Sequence, residues 1–413
     1  MTKKIILLFI ITVTVVVGII FGIYFFNNKT TTTTSTSTTT APIGFFPFGT
    51  NNNEQPATST QSIVATSTNT ESLPRLRQIT NSPTAGIIAL GTNSSSTARY
   101  TERATGHIYE AFLKTGEIVR LSNTTIPKIY EAVWNPVGAS TIFRYLTDSD
   151  NSIESYYAKL ISPSAKSTST ETTLQGTFLT KNITGLSISE KGDKIVYVKK
   201  EGNIEISNID GTKKVLIYNT PINEWVVEWA TENLITITTK ASGSTDGFMY
   251  TLDTKGGLPK RILGNIPGLT TLADNTGTNI VFSQSTGASV VMSMKNTKTE
   301  TIVGPIANTL PEKCIWSNKE FGIIYCAIPD FMQNATYPDD WYKGLISFED
   351  SIAKIDTKSG DITVISKMTN EAGQGIDATN LSLTKDDNFL VFINKKDLTP
   401  WSLNLKAKSP SQN

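Results

Sequence analysis

One histidine, His107, and two cysteines, Cys314 and Cys326, are all that this 413-residue chain offers of the side chains that most often bind metals or attack substrates. A single imidazole excludes a multi-histidine metal site, and two thiols are too few for a four-thiolate zinc or iron–sulfur centre. His107 follows a Thr-Gly turn and opens Ile108-Tyr109-Glu110, the place of an ordinary strand residue. Cys314 and Cys326 are symmetric about residue 320, within the turn Asn318-Lys319-Glu320. Across an antiparallel hairpin their Cβ atoms would lie about 4.5–5.5 Å apart, near disulfide distance. A disulfide and two buried free thiols both fit that placement. A catalytic cysteine does not, because its only imidazole partner lies in a different part of the chain. No G-x-S-x-G elbow, phosphate-binding loop or dinucleotide fingerprint occurs.

Carboxylates and aromatics gather after the second cysteine, in Ala327-Ile328-Pro329-Asp330-Phe331 and then Tyr337-Pro338-Asp339-Asp340-Trp341-Tyr342-Lys343-Gly344. Tyr337, Asp339, Asp340, Trp341 and Tyr342 are the candidate binding residues. Trp341 and Tyr342 could stack on a sugar ring or a partner side chain while Asp339 and Asp340 accept hydrogen bonds. The same residues would equally serve a loop folded over its own sheet, with Trp341 filling an apolar gap. As glycosidase machinery the adjacent pair is poor, since the two carboxylates must flank a bond at about 5–9 Å. Asp148, Asp150 and Glu154 have oxygen ligands for calcium but lack the glycine of an EF-hand loop, and such residues are ordinary in a hairpin turn. No metal and no cofactor is expected.

The elements that must position these residues are strands. Lys and Arg number 37 against 36 Asp and Glu, so the chain has no basic excess with which to grip nucleic acid. Charged residues are only 18% of the chain, and Thr, Ser and Asn take their place, as suits strands and turns. From residue 73 onward short alternating runs are punctuated by turns such as Lys191-Gly192-Asp193, Ile209-Asp210-Gly211 and Lys358-Ser359-Gly360-Asp361. A unit then repeats: an apolar strand, a polar turn, and a second strand of large apolar residues. Anchors at Trp134, Ile188, Trp229, Leu272, Trp316 and Leu383 are spaced by 54, 41, 43, 44 and 67 residues. A base period of 41–44 matches one four-stranded propeller blade, with the two long intervals as insertions. The Ser/Thr-rich stretch 162–176 reads as a mobile loop.

The last copy has three strands, ending at Trp401-Ser402-Leu403-Asn404-Leu405, and Leu76-Arg77-Gln78-Ile79-Thr80 supplies a fourth. A blade shared by both chain ends closes the ring without an open edge. The fold class is therefore all-β, a seven-bladed β-propeller over 73–407, with six or eight blades as the alternatives. A polar tail occupies 408–413.

Residues 5–26 are 22 consecutive uncharged positions, long enough to span about 30 Å of hydrocarbon. They lack the small-residue exit of a cleavable signal, so an uncleaved helix is preferred to a cleaved one. With Lys3 and Lys4 before the span, the N-terminus is expected in the cytoplasm, giving a single-pass protein with 1–28 as stub and anchor. Residues 30–40 are nine Thr and two Ser, and the polar run to 72 reads as a disordered stalk carrying the propeller on the extracytoplasmic side.

Strand–turn–strand copies such as Ser187-Ile188-Ser189-Glu190-Lys191-Gly192-Asp193-Lys194-Ile195-Val196-Tyr197 resemble the repeat of bacterial TolB-like and WD40-like propellers over 73–405. That resemblance implies a binding scaffold more often than an enzyme. The expected function is a non-catalytic module for a protein, peptide or envelope glycan. The alternative is a propeller glycosidase or lyase with a site at the central channel, and a third reading is a structural part of an envelope assembly.

Overall fold

The computed structural model describes residues 73–147, 152–162 and 172–408. The expected anchor, stalk and most of the polar tail fall outside them, as do Asp148 and Asp150. Among the described residues no helix is long and apolar enough to cross a membrane.

Seven four-stranded antiparallel sheets are formed. Blades 1 to 6 occupy 84–120, 129–178, 183–219, 225–267, 271–307 and 314–367. Blade 7 consists of Ala378–Leu383, Phe389–Asn394, Pro400–Asn404 and, from the other chain end, Leu76–Gln78. The expected seventh blade is thus closed in the expected way. Leu76 faces Leu403, Arg77 faces Ser402 and Gln78 faces Trp401, and the amide of Ile79 donates to the carbonyl of Pro400 at 2.8 Å. Arg75 fastens the entry: its Nε lies 3.0 Å from Glu371, and its other nitrogens donate to the carbonyls of Ile365 and Ala407.

Blade 3 illustrates why these residues make these strands. Its second strand, Lys194–Lys199, holds an unbroken apolar run at 195–198 because neighbouring blades cover both faces. Its third, Asn203–Asn208, is mixed, and its outer strand leaves Val215 and Leu216 more than half exposed. The turn between the first two needs a left-handed residue, supplied by Gly192 at φ +72°.

Two sequence readings are corrected. Thr173–Phe178 is not part of a loop but the outer strand of blade 2, paired with Ile153–Ile161; its Thr content had hidden an ordinary edge strand. The fourth anchor, in blade 5, is Ala273 rather than Leu272, because Ala273 pairs with Ile280 as Trp229 pairs with Ile235. Bulky residues dominated the pattern, and a small one took the equivalent place.

Cys314 stands directly opposite Cys326 on the first two strands of blade 6, and the two are joined by a disulfide with Cα atoms 4.0 Å apart.

Candidate functional site

The first strand of each sheet lies innermost, and side chains reach from one inner strand to the next. Ser187 accepts a hydrogen bond from the amide of Trp229, Ser382 from Ala89, and Glu228 from Ala273. At the positions equivalent to Ser187, Glu228 and Ser382 the remaining inner strands carry Ile88, Val133, Leu272 and Ile315, all apolar.

Glu228 is the one carboxylate among these positions. Its carboxyl also receives the Thr236 hydroxyl at 3.3 Å. Enclosure by the neighbouring blades pushes its pKa up to about 7, against the smaller downward pull of those two hydrogen bonds. The folded protein therefore holds a proton here that the unfolded chain releases, and this contribution to stability fades as pH rises through about 7. Glu228→Gln keeps an acceptor without the charge. The variant is expected to exceed the parent in stability at pH 8.5 by about 1–3 kcal/mol and to match it below about pH 4, as read by denaturant titration at each pH. Asp350, which titrates in the same direction, is common to both proteins and cancels.

At the end of the ring that carries the second-to-third-strand turns, a cavity of about 510 Å³ opens over blades 3 to 6. Its walls include Trp225, Val226, Leu269, Thr271 and Thr239, and its charged groups are Glu224, Lys240 and Glu312. Val226 is 56% exposed, an unusual state for a valine on an inner strand. Glu224 and Lys240 approach to 3.6 Å at the rim. Glu312 is wetted by the cavity but walled in by protein. That enclosure raises its pKa, while the hydroxyl of Tyr342 donates to its carboxylate and opposes the shift. Enclosure and the Glu312 charge together hold the Tyr342 phenol protonated.

Tyr342 comes from the insertion between the second and third strands of blade 6, which crosses the face of the ring. At one end the Asp339 carboxylate accepts the Gly243 amide of blade 4 at 2.6 Å. A side chain at Gly243 would meet the Tyr337 carbonyl at 2.5 Å, so glycine is what allows the insertion to seat there. At the other end Lys395 of blade 7 donates to the Trp341 carbonyl at 2.7 Å.

The five candidate binding residues thus meet different fates. Tyr337 is fully buried, stacked on Phe348, with its hydroxyl on the Gln333 carbonyl. Asp340 accepts the Thr336 amide and fastens the one-turn helix Asp339–Tyr342. Trp341 is only 3% exposed and donates its indole N–H to Asp377 at 2.9 Å, so its ring packs rather than receives a ligand. Tyr342, 40% exposed, is the member that reaches the cavity.

Under the insertion lies a set the sequence reading missed. Lys313 is completely buried, its ammonium 2.5 Å from Asp377 and 2.8 Å from Asp350. Burial raises Asp350 to about 6, the Lys313 charge offsetting part of that rise. The signal available was slight: a lysine immediately before the inner strand Cys314–Trp316. His107 stays in blade 1, with Nε2 3.2 Å from the Thr125 hydroxyl, and Glu154 receives the Tyr145 hydroxyl; neither lines the cavity.

No family model matches this chain, and no curated protein does. Solved structures do. The tricorn protease aligns at 10% identity and TM-score 0.51 over 82% of this chain and 35% of that one, so this chain spans about a third of the protease. Oligogalacturonate lyase in complex with manganese aligns at 8% identity and TM-score 0.51 over 81% and 94%. What is shared is the propeller fold. TolB from Acinetobacter baumannii aligns more loosely, at 13% identity and TM-score 0.43 over 67% and 62%, and carries no further weight. The expected propeller fold is thus borne out. Among the described residues no group of three or more His, Cys, Asp or Glu is placed to hold a metal ion.

Proposed function

We propose that the chain is a membrane-anchored, extracytoplasmic propeller that binds a peptide segment of an envelope protein in the cavity at the end of its axis. The observation that carries this reading is the cavity itself, about 510 Å³ with an exposed aliphatic floor at Val226 and an aromatic edge at Tyr342. That volume lies in the range of sites for small ligands and peptide side chains. Two carboxylates against one lysine disfavour an acidic glycan and suit a basic side chain on an apolar stem. Phe331 and Leu345, both at least 70% exposed on the insertion, extend the apolar surface available to a partner. The anchor at 5–26 and the stalk to 72 belong to the same proposal and rest on the sequence.

Short peptides with a central Lys or Arg, titrated against the protein by calorimetry, are expected to bind. Val226→Lys, which sets a like charge against the peptide's cation, and Tyr342→Ala should each weaken that binding at least about tenfold, a loss of roughly 1.4 kcal/mol. Equal affinity in both variants would remove the cavity from the reading. The second reading, a propeller enzyme, draws on the Glu312–Tyr342 pair, a carboxyl of raised pKa against a phenol and thus of the type that moves protons. Turnover of acidic or neutral envelope oligosaccharides, abolished by Glu312→Gln, would favour it.

A further inference from the structure

The buried set at Lys313 holds more than an ion pair requires. Its amine is fully enclosed, with three acceptors: Asp377 Oδ1 at 2.5 Å, Asp350 Oδ2 at 2.8 Å and the Ala378 carbonyl at 3.0 Å. The rings of Trp341 and Phe348 lie 5.2 and 5.1 Å from Nζ. The second oxygen of Asp377 takes two donors, the Trp341 indole N–H at 2.9 Å and the Phe348 amide at 3.0 Å. Asp350 Oδ2 also accepts the Ala378 amide, while its Oδ1 is buried without a partner among the described residues. Lys395 Nζ also lies 4.9 Å from the centre of the Trp341 ring. An amine nucleophile, a carboxyl carbon, a pair of N–H groups on one of its oxygens, and a second carboxyl touching the amine are the parts of an acyl-transfer site.

We infer that Lys313 and Asp377 condense into an intramolecular isopeptide bond, with Asp350 carrying the protons. Nζ gives a proton to Asp350 and attacks Cγ of Asp377. Charge that develops on Oδ2 is received by the Trp341 and Phe348 N–H groups. The Cγ–Oδ1 bond then breaks, and the two protons shed by Nζ, carried through Asp350, leave on Oδ1 as water. Ammonium and carboxylate thereby become one amide and one water, and no oxidant, metal or co-reactant is needed. Two features drive a condensation that bulk water would reverse. Fixed neighbours react at effective concentrations of about 10⁵–10⁸ M. The product also removes two charges from an enclosure where charge is costly. Lys313 precedes the inner strand of blade 6 and Asp377 that of blade 7, so the bond would bolt together the two blades beside the ring's closing seam.

The test is the mass of the full-length chain, denatured and with its disulfide reduced. The expected value is one water below the sequence mass. Tryptic mapping should place the loss in a branched peptide joining Lys313 to Asp377, with no cleavage after Lys313. Asp350→Asn preserves the acceptor for Ala378 but cannot carry a proton, and is expected to restore the full mass for its sequence. The wild-type reading does not depend on any variant folding. A wild-type chain at full mass, or a water loss that maps elsewhere, overturns the bond. Undiminished water loss in Asp350→Asn overturns the role of Asp350.

Discussion

Leu76→Asp is expected to cost the propeller more than 4 kcal/mol and to leave it partly open at the closing blade. Leu76 is 4% exposed and packs in one cluster with Trp401, Leu403, Tyr325 and Ile352, so it belongs to blades 6 and 7 at once. The strand that presents it is only three residues long, Leu76–Gln78, and offers little else to hold it. A carboxylate there must either be buried without a partner or pull the strand off its neighbour. If the strand leaves, Pro400–Asn404 becomes a free edge, and edges of that kind recruit other chains. Leu76→Ala removes packing without adding charge and should cost about 2–5 kcal/mol. Denaturant titration measures both, and sedimentation of the Asp variant should show association. Midpoints equal to the parent's would mean that the ring does not depend on its N-terminal strand.

Asp377→Ala is the second large effect, expected at about 3–5 kcal/mol. Removing this carboxylate leaves the Lys313 ammonium with Asp350 as its one counter-charge beside the Ala378 carbonyl, and strips the indole N–H of Trp341 and the amide of Phe348 of their acceptor. Three groups lose a partner in a place that water does not reach, and each orphaned donor carries its own desolvation cost. Because Trp341 and Phe348 are the floor of the insertion, the damage should spread to Tyr342 and the cavity. Equilibrium unfolding reads the stability, and loss of Tyr342-dependent peptide binding in the same variant reads the spread. A loss under about 1 kcal/mol would show that the cluster is not what holds the insertion down.

Much of this fold can be read along the chain. Alternating strands, turn residues such as Gly192 and a recurrent large residue before each turn are short-range signals, repeated every 41–44 residues through the regular stretch. Repetition also gave the closing strand, because a last unit lacking one strand demands a donor and only 76–80 fits. The opposed cysteines were legible for the same reason: a hairpin's symmetry places them. Reading failed where one copy used a small residue, Ala273, or where polar composition masked a strand at Thr173–Phe178.

The candidate site was legible only as a loop of interest. Nothing local distinguishes Trp341, which is buried, from Tyr342, which is not; the difference arises from Phe348, Asp377 and Lys395 closing over the first. Asp339 and Asp340 looked like ligand acceptors and are spent on the amides of Gly243 and Thr336.

The order of residues by itself determined most of the strands, the four-stranded repeat, the way the ring closes and the facing of the two cysteines, since all of these follow from hydrogen bonding and apolar patterning between near neighbours or between like copies. Only the tertiary structure decided that Lys313, Asp350 and Asp377 share one dry enclosure, and that Val226, Glu312 and Tyr342 share one cavity. Those groups sit on separate blades and loops, and their chemistry depends on which neighbours exclude water from them. Solvent exclusion is a property of the closed ring, and no stretch of sequence carries it alone.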